Sequence, residues 1–203
     1  MNVDGALREV MIAVAEEAIA AGAEWLGQAG EEWSRIRFKA SGEEVTDADV
    51  EVERLVTDVL RKRTPEIPVV GEESAGSGPL PSRCWVLDPI DGTVNFTRGT
   101  PMYAISLALV EGGEPTVGVV HAPALGRRWS TGPEGGGRKA AALGVSELSR
   151  AVVGVSGSGS GRFPWSTAFL TVLHDRAYRV RMHGSMALDL VGVAEGWLDA
   201  IEA

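Results

Sequence analysis

Trp85-Val86-Leu87-Asp88-Pro89-Ile90-Asp91-Gly92-Thr93-Val94-Asn95-Phe96 reads as an apolar β-strand that runs into two carboxylates three residues apart and then into a helix start. Pro89 has no N–H, which predicts that ladder pairing ends there and that the turn is stiff. Asp88 and Asp91 then lie at the carboxyl end of the strand, projecting toward one small volume. Two carboxylates that close repel each other unless a cation joins them, and Mg²⁺, which prefers oxygen ligands in octahedral geometry, is the natural candidate. The amides of Gly92 and Thr93 at the helix start offer an anion site beside it, suited to a phosphate. An ordinary β-turn uses the same residue types, since Asp-Gly and Pro form turns and Asp caps helices.

Two further acidic stretches lie upstream. Val70-Gly71-Glu72-Glu73-Ser74 follows a short strand and enters a loop, so Glu72 is either a solvated loop residue or a third carboxylate from a neighbouring strand end. Lys39 precedes Glu43-Glu44-Val45-Thr46-Asp47-Ala48-Asp49, in which Thr46 and Asp49 have the spacing of a capping box and Asp47 reads as first-turn charge.

Outward from these motifs, Leu7, Val10, Met11, Val14, Ala15, Ala18, Ile19 and Leu26 recur at helical spacing, and a second helix starts at Thr46 and stops at Thr64-Pro65. Strand-like runs follow at 67–70, 84–87, 103–110 and 116–121, with Glu111-Gly112-Gly113-Glu114-Pro115 as a hairpin turn. This half predicts two helices against a largely antiparallel sheet. Beyond it, 151–155, 178–182 and 198–201 read as strands alternating with helices at 165–176 and 185–195, which predicts βαβ units. Gly132 to Gly137 and Gly157 to Gly161 fail the Walker and dinucleotide templates and read as surface loops.

The chain has 203 residues and a formal charge of −9, which disfavours a nucleic-acid or anionic-membrane partner. Its 44% hydrophobic and 23% charged residues suit a globular protein with a substantial core. Cys84 is the single cysteine, which fits a reducing compartment, and the N-terminus has no signal-like pattern, so a cytoplasmic protein is expected. His121, His174 and His183 form no metal or triad motif; only His183, at a strand end beside a glycine, is placed to support a site. The six tryptophans are dispersed along the chain, and Asp189 reads as a structural residue turned to a polar neighbour.

The segments Gly71-Glu72-Glu73-Ser74 and Asp88-Pro89-Ile90-Asp91-Gly92-Thr93-Val94-Asn95-Phe96, with Val45 to Asp49 upstream and His183-Gly184-Ser185 through Glu202 downstream, resemble the inositol monophosphatase family of Mg²⁺-dependent, lithium-sensitive phosphatases. The resemblance implies a layered α-β-α-β-α sandwich of the inositol monophosphatase/fructose-1,6-bisphosphatase type. Residues 1–145 would form an α+β lobe carrying the metal and phosphate sites, and 146–203 an incomplete C-terminal α/β lobe. By the same resemblance, Glu72, Asp88 and the Ile90 carbonyl hold a first metal, and Asp88 with Asp91 a second. Asp49, Glu72 and Thr93 would be the catalytic residues, with Asp49 and Thr93 orienting the attacking water and Glu72 and Asp49 lying near a third, weaker ion. Asp91, Gly92, Thr93, Gly184, Ser185 and Glu202 would bind phosphate and substrate hydroxyls.

The implied reaction is hydrolysis of inositol monophosphate or a similar small polyol phosphate by a metal-activated water, carried out by a homodimer. Asn95-Phe96 is closer to the inositol phosphatases than to the 3′-phosphoadenosine branch, with Lys-Glu-Phe, or the histidinol phosphatase branch, with Lys-Ser-Phe. Histidinol phosphate, sugar bisphosphates and nucleoside bisphosphates are the alternative substrates. Family members continue past Glu202 to a Trp-Asp-x-Ala-Ala-Gly motif whose Asp binds the second metal, and these 203 residues contain no Trp-Asp pair. The expectation is therefore a fragment of a longer product, or a phosphatase-like binding protein whose second metal site is short of one ligand.

Overall fold

The computed structural model describes residues 3–29, 33, 35–39, 42–74, 78–131, 145–156 and 167–202. Both glycine-rich loops expected at 132–137 and 157–161, and the first two residues of the helix expected from Trp165, lie outside the described residues. In chain order the elements begin with α1 (Val3–Gln28), a hairpin of β1 (Ile36–Phe38) and β2 (Glu44–Thr46), and α2 (Asp47–Arg63). Then come β3 (Val69–Gly71), β4 (Arg83–Asp91), the short α3 (Thr93–Thr97), β5 (Ala104–Glu111), β6 (Glu114–Ala122) and β7 (Arg127–Ser130). The last part holds β8 (Val152–Val155), α4 (Thr167–Arg176), β9 (Arg179–Arg181), α5 (Met186–Glu195) and β10 (Ala200–Glu202).

Five strands form one sheet in the order β3-β4-β5-β6-β7, antiparallel except for the parallel β3–β4 pair. Alternation along the strands creates two faces. Trp85, Leu87, Ile105, Leu107, Leu109, Val117 and Val119 point to one core, where α1 contributes Met11, Val14, Ala15, Ala18 and Ile19 and α2 contributes Val52, Val56 and Leu60. Leu7 and Val10, which share the helical spacing, are about half exposed, so the buried stripe of α1 begins only at Met11. Ala104, Ala122 and Leu188 form a smaller core on the opposite face, which places α5 there.

The second sheet is wholly parallel in the order β10-β8-β9, as the βαβ reading requires. Val153 and Val155 pack with Leu173 of α4, while a side chain at Gly154 would meet Asp189 of α5, so α4 and α5 cover its two faces. The layers therefore run helix pair, sheet, α5, sheet, α4, the expected α-β-α-β-α sandwich.

Pro89 does not end the β4 ladder as its chemistry suggested. Asp88 pairs with Ser106, the register then shifts, and pairing resumes at Asp91 opposite Ala104. A bulge absorbs the missing donor and re-aims the side chains between the two aspartates. The hairpin at Gly112-Gly113 forms as expected, with Glu111 opposite Glu114. Among the tryptophans, dispersion along the chain conceals edge-to-face pairing in space: Trp25 with Trp33, and Trp129 with Trp197.

Candidate active site

Parallel pairing of β3 and β4 sets Gly71 opposite Leu87, and Glu72 N–H then donates to the Leu87 carbonyl at 2.9 Å. The two acidic strand ends thereby come together, and a groove of about 290 Å³ is lined by Val70, Gly71, Glu72, Val86, Leu87 and Asp88. Gly71 is required by a neighbour the sequence reading missed. A Cβ there would lie 2.2 Å from the carboxyl carbon of Glu53, which is buried in α2 and accepts the Glu73 N–H at 2.9 Å. Glu53 follows Asp49 by one helical turn, so both carboxylates lie on one face of α2. A glycine directly before Glu72 was the available signal.

Asp49 both caps α2 and touches Thr93. One carboxylate oxygen closes the capping box with Thr46, accepting its N–H at 2.7 Å, and the other lies 3.3 Å from the Thr93 hydroxyl. Thr93 Oγ1 also lies 3.0 Å from the Ile90 carbonyl, so its single proton is shared between two acceptors. Burial raises the Asp49 carboxyl above its ordinary range, and the bonds from Thr46 and Thr93 oppose that rise. Asp47, the expected first-turn charge, pairs with Arg37 at 2.6 Å.

Asp88 lies within hydrogen-bonding reach of Glu72, and burial, followed by the charges of Glu72 and Asp91, pushes its carboxyl up to about 9. Asp91 is held from the side. Ser185 Oγ donates to it at 2.5 Å, and the amides of Ala187 and Met186 at the start of α5 donate at 2.7 and 3.2 Å. Burial raises Asp91 as well, against these bonds. Gly92 caps α3 with φ of 94°, a left-handed conformation that favours glycine, and a Cβ there would come within 3.0 Å of the Gly184 carbonyl. Asn95 fastens the same junction, donating to the Met102 and His183 carbonyls at 2.7 Å each. Gly184 and Ser185 are thus brought against the Asp91–Thr93 turn. Glu202 is not tied to it: Glu202 closes β10, its carbonyl accepting the Ser156 N–H at 3.1 Å.

Lys39 reaches in from the β1–β2 hairpin, with Nζ 2.6 Å from Glu72 Oε1 and 2.8 Å from Glu73 Oε1. Burial disfavours its charge, but the hydrogen bonds and charges of the two glutamates outweigh that and hold the ammonium above its usual range. Among the described residues no three His, Cys, Asp or Glu side chains are gathered as a finished metal cage, because Glu72 is turned to Lys39 and Asp91 to α5. The donor chemistry still fits a hard divalent cation. Asp49, Glu72, Asp88 and Asp91 act on one another electrostatically and all offer oxygen, and burial, then the neighbouring carboxylates, disfavours a bare negative charge on Asp88 that a cation would stabilise.

The sequence profile of the inositol monophosphatase family matches residues 7–202, nearly the whole chain. The chain belongs to the inositol monophosphatase family. Among its curated relatives, the histidinol-phosphatase of Mycobacterium tuberculosis is 38% identical over 193 residues, covering 86% of this chain and 74% of that protein. The fructose-1,6-bisphosphatase/inositol-1-monophosphatase of Thermotoga maritima is 38% identical over 157 residues, covering 76% and 60%. Among solved structures, Mycobacterium tuberculosis SuhB superposes with a TM-score of 0.75 at 32% identity, over 99% of this chain and 78% of that one. The chain thus spans between 60% and 74% of the length of these two curated relatives. Membership in the inositol monophosphatase family accounts for the layered sandwich.

Proposed function

We propose that this chain carries the active site of a Mg²⁺-dependent phosphatase that hydrolyses small phosphate monoesters, inositol monophosphate or a similar polyol phosphate first among them. The observation that carries the reading is that Glu72, Asp88, Asp91 and Asp49 lie within electrostatic reach of one another, with the Thr93 hydroxyl against Asp49, in a chain of the inositol monophosphatase family. Glu72, Asp88, Asp91 and the Ile90 carbonyl would hold the cation. When bound, Mg²⁺ supplies charge neutralisation for the phosphoryl oxygens and lowers the pKa of a water. The Thr93 hydroxyl, set between Asp49 and the Ile90 carbonyl, orients the attacking water, and Asp49 is the carboxylate placed to take its proton through that hydroxyl. The amides of Gly92 and Thr93 meet the phosphate, while Gly184, Ser185 and Glu202 meet the hydroxyls of the rest of the substrate.

This reading takes residues 1–145 as the lobe carrying the metal and phosphate sites and 146–203 as an incomplete C-terminal α/β lobe that contributes Gly184, Ser185 and Glu202 to the substrate side. It carries a homodimer working in the cytoplasm; the buried Cys84, without a disulfide, fits a reducing compartment. Among the described residues no helix is long and apolar enough to cross a membrane. Histidinol phosphate is the second substrate to try, because a histidinol-phosphatase is 38% identical over 193 residues.

Phosphate release from inositol 1-phosphate, histidinol phosphate and fructose 1,6-bisphosphate tests the reading. Turnover should require Mg²⁺ and be lost in Asp88→Asn; full activity of that variant, or turnover in EDTA, overturns it. Mg²⁺-dependent substrate binding without any release would instead leave a phosphatase-like binding protein.

A further inference from the structure

The carboxyl ends of two of the parallel strands, β8 and β9, converge with α5 on a hydrogen-bonded group that none of the roles above uses. Asp189 of α5 is fully buried, and both its oxygens are engaged: Ser156, just past β8, donates its hydroxyl to one, and His183, just past β9, sets Nδ1 against the other at 2.5 Å. Gly154 leaves the room this carboxylate occupies, since a Cβ there would lie 3.3 Å from the Asp189 carboxyl carbon. The imidazole is not itself buried, with 27% of the His183 side chain exposed.

Burying a carboxylate is costly, and a cross-link made only for stability is served as well by apolar packing. Here the buried charge fixes an accessible ring. With Nδ1 donating to Asp189, Nε2 is left as the nitrogen available to a ligand, an acceptor in the neutral ring and a donor once protonated. The position is specific. Asn95 of α3 holds the His183 carbonyl at 2.7 Å, and Ser185, two residues on, bonds Asp91, so the ring is joined to the phosphate turn by a three-residue segment anchored at both ends. Carboxyl ends of parallel strands are also where open α/β sheets bind ligands.

We propose that His183, oriented by Asp189 and Ser156, is a specificity-determining residue that hydrogen-bonds a hydroxyl of the substrate's non-phosphate part through Nε2. The inference rests on the phosphatase reading for the identity of the substrate, and goes beyond it in assigning the discrimination between polyol and other phosphate esters to this imidazole. Asp189 and Ser156 act through it as positioning residues.

The test compares wild type with His183→Asn on inositol 1-phosphate and on p-nitrophenyl phosphate, which has no hydroxyls to recognise. The ratio of kcat/KM between the two esters should fall about tenfold, chiefly through KM for inositol 1-phosphate. In parallel, the imidazole nitrogen resonances of the Mg²⁺-loaded protein are followed by NMR, with the His183 signal assigned by its loss in the variant. Inositol 1-phosphate should shift that signal and inorganic phosphate at equal concentration should not. An unchanged ratio, or equal shifts with both ligands, overturns the proposal. If wild type releases no phosphate yet the selective shift appears, the phosphatase reading falls and the recognition role stands; turnover without a selective shift gives the reverse.

Discussion

Gly71→Ala should disable the acidic turn through a residue that lies 18 positions away in the sequence. The added Cβ would lie 2.2, 2.3 and 2.6 Å from the three carboxylate atoms of Glu53. Reaching an ordinary contact of about 3.5 Å requires Glu53 to retreat by more than about 1 Å. Glu53 is buried and accepts the Glu73 N–H at 2.9 Å, so that retreat breaks the bond that positions the turn after Glu72. Loss of a hydrogen bond to a charged group costs about 1.5–3 kcal/mol, and overpacking typically about 1–3 kcal/mol. Because the end of a glutamate side chain can yield, a net loss of about 3 kcal/mol is expected, or roughly 6–12 °C in Tm. Urea unfolding of Gly71→Ala, Glu53→Ala and the double variant makes the test specific. Once Glu53 is truncated the alanine has nothing to displace, so the double variant should be no less stable than Glu53→Ala alone. Additive losses, or a Gly71→Ala variant within about 0.5 kcal/mol of wild type, would refute the reasoning.

Three further outcomes follow from the geometry. Burial and the neighbouring carboxylates push the Asp88 carboxyl from 3.8 up to about 9, so between those values the folded state holds more protons than the unfolded state and stability in EDTA should fall as pH rises. Urea midpoints at pH 5, 7 and 9 should decline in wild type and much less in Asp88→Asn; a rise with pH, or an equal slope in the variant, contradicts this. Thr46→Ala removes the N-cap of α2 and two bonds to Asp49, and should cost about 1–2 kcal/mol in the same assay. Arg127 pairs with Glu195 and lies over Trp129 and Trp197 at 4.7 and 5.2 Å, joining β7 to the end of α5. Arg127→Ala should lose about 1–2 kcal/mol and alter tryptophan fluorescence, whereas an unchanged midpoint would show that this clasp carries no stability.

The stretch from Trp85 to Phe96 disclosed the strand, the two aspartates and the short helix because its signals are local: apolar alternation, a proline and a glycine at a left-handed cap. The Thr46–Asp49 capping box and the Gly112-Gly113 hairpin were legible for the same reason. What stayed hidden depends on neighbours far along the chain. The β4 bulge keeps Asp91 paired to Ala104 and thereby turns it toward α5, whose residues come more than 90 positions later. Glu53 reads as one more exposed charge on an acidic helix until Gly71 is set against it. The strands β1, β2 and β7 are not legible in the sequence because they are short and carry charged residues, with no apolar alternation to mark them. Lys39 precedes an acidic run, yet its partners are Glu72 and Glu73 across the fold rather than its sequence neighbours.

The central claim is that Glu72, Asp88 and Asp91 bind a divalent cation beside the Thr93 turn. Anomalous diffraction from crystals grown with Mn²⁺, a substitute for Mg²⁺ that prefers the same oxygen ligands, tests it most directly. The account predicts a peak in contact with Asp88, Glu72 and the Ile90 carbonyl, with Lys39 drawn away from Glu72, and no such peak in Asp88→Asn. Peaks confined to other surfaces, or a peak that persists unchanged in Asp88→Asn, would contradict it.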